Sequence, residues 1–511
     1  MISLQAKPSS QAVQLACLTF WSVLCLLGLA LARRPAQQLG AVRPDPRERA
    51  LTPEDAMYSF PCGSRVIRLF ADADEDGIPD LAIQRWDPIE RRTHIDLISG
   101  RSGELIRVLW KGSGDPLRAL TWEVGGDVDG DRVPDLLVGM PEDGPGRLLV
   151  LSGRTGEVKL ELAGTETGER LGTSVAFLGD VDGDGCDDFA FAATELPILW
   201  PSECREVAKG ASYLSSSNSS GTKHYIVFKD GTRVEHRGYQ QECMRKRSTQ
   251  AGYVSARSGR GGGELWRCAG SMPGHAFGTL VHPLGDLDGD GIADLSAQSD
   301  FRSTQPIRLL SGKTGALIRE VITRFGPAGP AGDVDGDGTP DLLLDAHDVD
   351  SADRVGGVQI VSGRSGEALY TLPYPDMMSE CGVSCPMGDM DGDGHADIAL
   401  GDANFHIKGP GDPDFEAGDF VPDLRNMPLA QALKIESDPW CAFTWESGAA
   451  LVYSGKTCRP MLGVWGPPGS RLGLGLCVLP MPDVSGDGYP DLLVTDEDTA
   501  YVFAGPGPEA K

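Results

Sequence analysis

The chain has 511 residues, of which 74 are acidic and 46 basic, for a formal net charge of −28. So acidic a balance argues against nucleic acid or an anionic membrane surface as a partner. The length could hold several ordinary domains, but a repeat with a period of about fifty residues makes it one architecture.

In chain order, residues 1–34 read as a secretory signal peptide, with Lys7 in an acid-free start, an apolar run over 15–32 and Ala30-Leu31-Ala32 as a cleavage signal. The rival reading is an uncleaved anchor, since the run only just reaches membrane-spanning length. Membrane contact is expected only through that anchor, which places the protein in the secreted or cell-surface space. Residues 35–55 read as a linker and 56–511 as the repeat.

Seven acidic loops of the form D-x-D-x-D-G-x-x-D begin at Asp72, Asp127, Asp180, Asp286, Asp333, Asp389 and Asp483. After each comes a short apolar run, such as 81–83, 136–138, 189–191, 342–344, 398–400 and 492–494, which predicts a strand. A second apolar stretch then leads into a Ser-Gly-basic turn at Ser99, Ser152, Ser258, Ser311, Ser362 and Ser454, with Ala504-Gly505 as a degenerate last copy. A third stretch follows, as at 104–110, 316–321 and 368–372. The strand before each loop opens on a large or apolar residue and glycine, as in Leu171-Gly172, Phe277-Gly278, Phe325-Gly326, Cys381-Gly382 and Leu472-Gly473. The pattern predicts an all-β, seven-bladed β-propeller of four-stranded blades.

Two blades are stretched. Insertions at about 195–250 in blade three and 402–447 in blade six fall between the second and third strands. The first is basic in parts (Lys223, Lys229, Arg233, Arg245, Lys246, Arg247) and holds His224, His236 and the sequon Asn218-Ser219-Ser220; the second is acidic and proline-rich. Long loops on a rigid scaffold are where binding usually resides, although disulfide-tied decoration explains them as well. The last blade lacks an evident fourth strand, and residues 56–60, just before Cys62-Gly63, are expected to supply it and close the ring.

Of 12 cysteines, Cys17 and Cys25 fall in the leader; the even remainder suggests disulfides. Sequence neighbours propose Cys381 with Cys385, Cys441 with Cys458, and Cys204 with Cys243 or Cys268. Cys62, Cys186 and Cys477 read equally well as small buried hydrophobes.

The loops predict calcium. Carboxylates at positions 1, 3, 5 and 9 converge on one point, glycine at position 6 permits the bend, and hard oxygen ligands in this number suit calcium better than zinc or copper. Five sets are complete: Asp72, Asp74, Asp76 and Asp80; Asp180, Asp182, Asp184 and Asp188; Asp286, Asp288, Asp290 and Asp294; Asp333, Asp335, Asp337 and Asp341; Asp389, Asp391, Asp393 and Asp397. The second loop keeps Asp127, Asp129, Asp131 and Asp135 but replaces the bend glycine by Arg132, so its ion is expected to bind weakly. The seventh has Ser485 between Asp483 and Asp487, with Asp491 completing it. Up to seven calcium ions are therefore expected, which would halve the net charge. An EF-hand is excluded, because its twelfth residue should be glutamate and here it is Ile83, Val138, Phe191, Ala297, Leu344, Leu400 and Val494.

The apolar-glycine pair (Phe277-Gly278), the acidic loop (286–294) and the Gly-x-Pro element (Gly139-Met140-Pro141) resemble the FG-GAP repeat family, the seven-bladed propeller found at the head of integrin α subunits. The resemblance covers about residues 56–505, with the Gly-x-Pro element eroded in most repeats. It implies a calcium-stabilised binding or adhesion scaffold with an unidentified protein or carbohydrate ligand. Integrin-like propellers carry calcium in only some blades, so seven loops depart from that pattern. The alternative is a secreted hydrolase or lyase on the same propeller. No H-E-x-x-H or G-x-S-x-G pattern is present, and the acids are committed to metal, so the expectation is a non-enzyme.

Overall fold

The computed structural model describes residues 50–507 apart from 65, 88, 113–119, 167, 195–211, 219–220, 228–232, 236–250, 273–274, 300–304, 323–327, 348–355, 374–382, 406–430, 432–446 and 471. The expected leader, most of the linker, the greater part of both insertions, and Cys204, Cys243, Cys381 and Cys441 lie outside the described residues.

The chain enters through β1 (Ala50–Leu51), a 3-10 turn (Pro53–Asp55) and β2 (Tyr58–Pro61). Blade one follows as β3 (Ile67–Leu69), β4 (Leu81–Asp87), β5 (Arg92–Ile98) and β6 (Leu105–Lys111). Blade two is β7 (Thr121–Gly125), β8 (Asp135–Met140), β9 (Arg147–Leu151) and β10 (Val158–Ala163). Blade three begins with β11 (Leu171–Gly179) and β12 (Asp188–Ala193). Its insertion then forms a separate three-stranded antiparallel sheet, β13 (Ser212–Asn218), β14 (Gly221–Val227) and β15 (Arg233–Glu235), before β16 (Tyr253–Arg257) and β17 (Glu264–Ala269) complete the blade. Blade four is β18 (Leu280–Gly285), β19 (Asp294–Gln298), β20 (Ile307–Leu310) and β21 (Leu317–Val321). Blade five is β22 (Ala328–Gly332), β23 (Asp341–His347), β24 (Gly356–Val361) and β25 (Ala368–Pro373). Blade six is β26 (Val383–Gly388), β27 (Asp397–Asp402), β28 (Ala449–Tyr453) and β29 (Pro460–Trp465). Blade seven is β30 (Cys477–Met481), β31 (Asp491–Thr495) and β32 (Thr499–Phe503), completed from the other end of the chain by β2.

The innermost strands β3, β7, β11, β18, β22, β26 and β30 lie side by side, and β30 returns to β3, which closes the ring. Second strands such as β12 and β31 are buried throughout. A strand covered on both faces reads as a continuous apolar run, which is why these segments have no polar alternation. The fourth strand β10 lies at the rim and is largely solvated. Apolar side chains form one cluster per blade interface: Leu284 and Leu309 of blade four meet Leu342 and Leu344 of blade five, for example.

The closure expected from residues 56–60 is present. β2 pairs antiparallel with β32, Phe60 opposite Ala500, and Phe60 is 2% exposed. Within the stretch read as linker, Ala50 and Leu51 add a short parallel strand to β29. Ala50 is buried in the cluster between blades five and six, so the ordered ring begins before residue 56.

The cysteine expectations are corrected. Cys268, Cys385 and Cys458 are free, which overturns the pairings of Cys381 with Cys385, Cys441 with Cys458 and Cys204 with Cys268; a Cys204–Cys243 pair lies outside the described residues. Cys458 holds the left-handed turn position (φ 55°) that glycine takes in blades one to five, and it packs into the cluster between blades five and six. Cys385 is part of the cluster between blades six and seven, behaving as a small hydrophobe. Cys62 and Cys186 are buried free thiols, and Cys477 is free and half-buried.

Candidate metal centre

In each blade the acidic loop joins the first strand to the second, and in blades one to six the Ser-Gly turn joins the third to the fourth; antiparallel order brings both to one end of the blade, where Ala504-Gly505 follows the third strand of blade seven. The connections between second and third strands emerge at the opposite end. Both insertions therefore spring from one face, between Ala193 and Tyr253 and between Asp402 and Ala449, which are paired across their strands. The acidic loops lie on the other face.

Each position in the loop has its own bonding role. Position 1 folds the loop around itself: Asp389 Oδ1 accepts the N–H groups of Gly392 (2.7 Å) and Asp393 (3.0 Å), and its Oδ2 that of Gly394 (2.9 Å). In the five complete loops position 3 accepts the N–H of position 5, as Asp335 does from Asp337 at 3.1 Å. Position 5 accepts the N–H of position 7, from Ile78 on Asp76 to Tyr489 on Asp487. Two oxygens per carboxylate leave lone pairs for a cation after these bonds are made.

Position 9 is a staple. Asp80, Asp135, Asp188, Asp294, Asp341, Asp397 and Asp491 each accept the N–H of position 2 on Oδ2. On Oδ1 each accepts the N–H of the glycine in its Ser-Gly turn: Gly100, Gly153, Gly259, Gly312, Gly363, Gly455 and Gly505. All seven are fully buried. Only glycine fits the turn position: a Cβ on Gly153 would lie 1.7 Å from the Pro134 carbonyl oxygen. The sequence pattern presents position 9 as a ligand alone, and its spacing carries no sign of the second partner.

Groups from Asp72, Asp74 and Asp80; from Asp127, Asp129 and Asp135; from Asp180, Asp182 and Asp184; and from Asp286, Asp288 and Asp290 each bring three oxygens within 4.8 Å of one another. Burial drives Asp80, Asp135, Asp188, Asp294, Asp341 and Asp397 toward neutrality, opposed by their N–H bonds and reinforced by the neighbouring aspartates. Asp135 and Asp341 are raised to about 6 and Asp397 to about 7. Carboxylates so buried are ionised at neutral pH only at a cost that a nearby divalent cation would reduce. The donor set, all oxygen and all anionic or hydroxyl, fits calcium.

The bend residue is left-handed in every loop. Gly77, Gly185, Gly291, Gly338, Gly394 and Gly488 have φ between 84° and 94°, and Arg132 in loop two has φ 66°. Arg132 still donates its N–H to Asp127 Oδ2 at 2.7 Å, as the glycines do in their loops, so the bend survives at the expense of strain. Position 4 is also left-handed, glycine in six loops but Glu75 (φ 62°) in the first, a departure the sequence reading passed over. In loop seven Ser485 Oγ donates to Asp483 Oδ1 at 3.3 Å, and the backbone course is unchanged.

A second feature was missed. The basic residue of the Ser-Gly turn reaches position 5 of its own blade's loop: Arg101 Nε to Asp76 Oδ2 at 2.9 Å, Arg154 to Asp131 at 2.7 Å, Arg260 to Asp184 at 3.7 Å, Arg364 to Asp337 at 3.2 Å and Lys456 to Asp393 at 3.9 Å. Lys313 donates to the Asp290 carbonyl oxygen at 3.4 Å. The seventh blade has Pro506 at this place. The recurrence of the basic residue in sequence was the available signal.

Away from the loops, Asp87, Glu90 and His94 also gather within 4.8 Å in the β4–β5 hairpin. Asp87 Oδ1 accepts the turn N–H groups of Ile89 and Glu90, and His94 lies 3.9 Å from Glu90, so an ordinary capped hairpin accounts for them. The Gly-x-Pro element serves close approach between blades two and three: Thr121 Oγ1 donates to the Gly172 carbonyl at 2.7 Å, and a Cβ on Gly139 would lie 2.3 Å from that oxygen.

No protein-family model matches the chain. It is 30% identical over 184 residues to integrin alpha-PS2 of Drosophila melanogaster, covering 35% of this chain and 10% of that protein. It is 41% identical over 104 residues to integrin alpha-4 of Xenopus laevis, covering 19% of this chain and 9% of that one. The chain thus spans about a tenth of the length of these relatives. Among solved structures, Sqt1 of Saccharomyces cerevisiae aligns with a TM-score of 0.42 at 10% identity, and BamB of Moraxella catarrhalis with 0.32 at 11%. Each alignment covers 88% of this chain and 99% of the other. The integrin homology and the seven-bladed ring together fit an integrin-like FG-GAP propeller.

Proposed function

We propose that this protein is a calcium-stabilised extracellular or cell-surface scaffold, integrin-α-like and non-enzymatic, that binds a protein or carbohydrate ligand. The observation that carries the reading is the repeated loop itself: carboxylates that converge within 4.8 Å of one another in loop after loop, closed by a buried position-9 acid such as Asp397 that burial pushes toward neutrality. Calcium would hold the turn ends of the blades rigid. Positions 1, 3 and 5 offer it oxygens, position 9 braces the loop against the Ser-Gly turn, and the exposed basic residues of the turns offset part of the charge.

Ligand recognition is assigned to the opposite face, where the connections of blades three and six are long. The adhesion reading is supported by the homology to integrin α chains, and with it an extracellular location. Among the described residues no helix is long and apolar enough to cross a membrane. The test is a screen of extracellular proteins and glycans against the intact chain and against variants in which 195–250 or 402–447 is replaced by a tight hairpin. Binding lost with an insertion while the ring stays folded supports the assignment; binding unaffected by both replacements contradicts it.

A further inference from the structure

Six blades share a bulge at the start of the fourth strand, where one residue is skipped in the pairing with the third. The skipped residue is Ile106, Lys159, Leu265, Ile318, Leu369 and Met461 in blades one to six. Five are apolar and pack against the interface clusters. The lysine is the exception. Its Nζ lies 3.0 Å from Oδ2 of Asp129, the third position of loop two, whose side chain is 17% exposed.

Asp129 is also turned relative to its counterparts. Asp74, Asp182, Asp288, Asp335 and Asp391 each accept the N–H of position 5 on Oδ1. In loop two the Asp131 N–H goes to Asp127, and Asp129 Oδ1 is buried without a hydrogen-bond partner. Asp74, Asp182, Asp288 and Asp335 have no comparable ion pair among the described residues. Loop two thus faces two cations of its own blade, Lys159 on Asp129 and Arg154 on Asp131.

We infer that Lys159 is the resident cation of blade two: its ammonium takes up the carboxylate that position 3 gives to calcium in the five complete loops, so this loop binds calcium more weakly than they do. The inference rests on the calcium reading above. It differs from the sequence expectation in its cause, because Arg132 leaves the loop backbone intact while Lys159 sits on a ligand. An ammonium about 4 Å from a divalent ion repels it enough to weaken binding on the order of thirtyfold, even with the dielectric constant of water.

Calcium titration of the metal-free full chain, followed by native mass spectrometry, tests this. Lys159→Met installs the kind of residue the other blades carry; it should fill one more tight site than the natural chain, with that site tightened about thirtyfold. Arg132→Gly should leave the number of tight sites unchanged. Independently, Asp129→Asn should leave it unchanged while Asp335→Asn removes one. Equal numbers of tight sites in the natural chain and Lys159→Met, or loss of one with Asp129→Asn, overturns the inference while leaving the calcium reading standing. No calcium on any of the chains overturns both.

Discussion

Arg154 sets its Nε 2.7 Å from Asp131 Oδ2, bonding the turn between the last two strands of blade two to the loop between the first two. The equivalent contact recurs at Arg101 and Asp76 and at Arg364 and Asp337. These basic side chains are more than half exposed, so solvent screens the pairs. Arg364→Ala should therefore lower unfolding stability by less than about 1 kcal/mol, an effect that shrinks at high salt. Urea unfolding at low and high salt checks this; a loss of several kcal/mol would mean that the turn is held by its cation rather than by the position-9 carboxylate.

Asp397 takes the heavier share. It is fully buried and accepts N–H groups from Met390 at 2.8 Å and Gly455 at 2.9 Å. Asp397→Ala leaves both donors unpaired, at a cost of about 2–5 kcal/mol, in calcium and in chelator alike. Asp335→Ala, by contrast, should be costly in calcium and mild in chelator, since Asp335 is half-buried and its proposed role is to ligate the ion. Asp129→Ala should cost less than Asp335→Ala in calcium. Unfolding curves of the three variants in both buffers would show the pattern; a chelator-independent loss for Asp335→Ala breaks it.

Arg132 holds a φ of 66° where the other loops have glycine. Arg132→Gly relieves that strain and should raise stability by about 0.5–1 kcal/mol, the residual of conformational relief over added unfolded-state entropy. Thermal unfolding in chelator isolates this backbone effect from metal binding; a destabilised variant would show that the arginine side chain contributes more than its backbone costs.

His282 lies half-buried on the inner strand of blade four. Burial, with a smaller effect from the Arg68 charge, lowers its pKa to about 4 from 6.5. Between those values the unfolded chain carries a proton that the folded chain lacks, so the His282 contribution is complete above pH 6.5 and declines as pH falls toward 4. The full shift corresponds to at most about 3 kcal/mol, less to the extent that solvent reaches the half-buried side chain. His282→Gln should flatten the stability profile between pH 6.5 and 4; an unchanged slope would assign the acid sensitivity elsewhere.

The features legible in sequence are those whose cause is local. Asp389 through Asp397 bend because adjacent residues supply the carboxylates and the glycines, so the loops, and with them the blades, could be counted directly. Ring closure by Phe60 opposite Ala500 was legible because a missing strand leaves an open edge. What stayed hidden joins residues far apart in the chain. Gly455 reaches Asp397 across the second insertion, and Lys159 reaches Asp129 from the next hairpin. Cysteine spacing misled for the same reason: the strand that carries Cys385 fixes it in an interface core, whatever lies near it in sequence.

Calcium in the acidic loops is proposed to hold the propeller together. The direct measurement is the thermal unfolding midpoint of the metal-free full chain with saturating calcium and with excess chelator. An ion that binds only the folded state adds about 2.7 kcal/mol per site at a hundredfold excess over its Kd, so several sites should lift the midpoint by many degrees, and calcium returned after chelation should restore it. A midpoint the same in both buffers would contradict the claim.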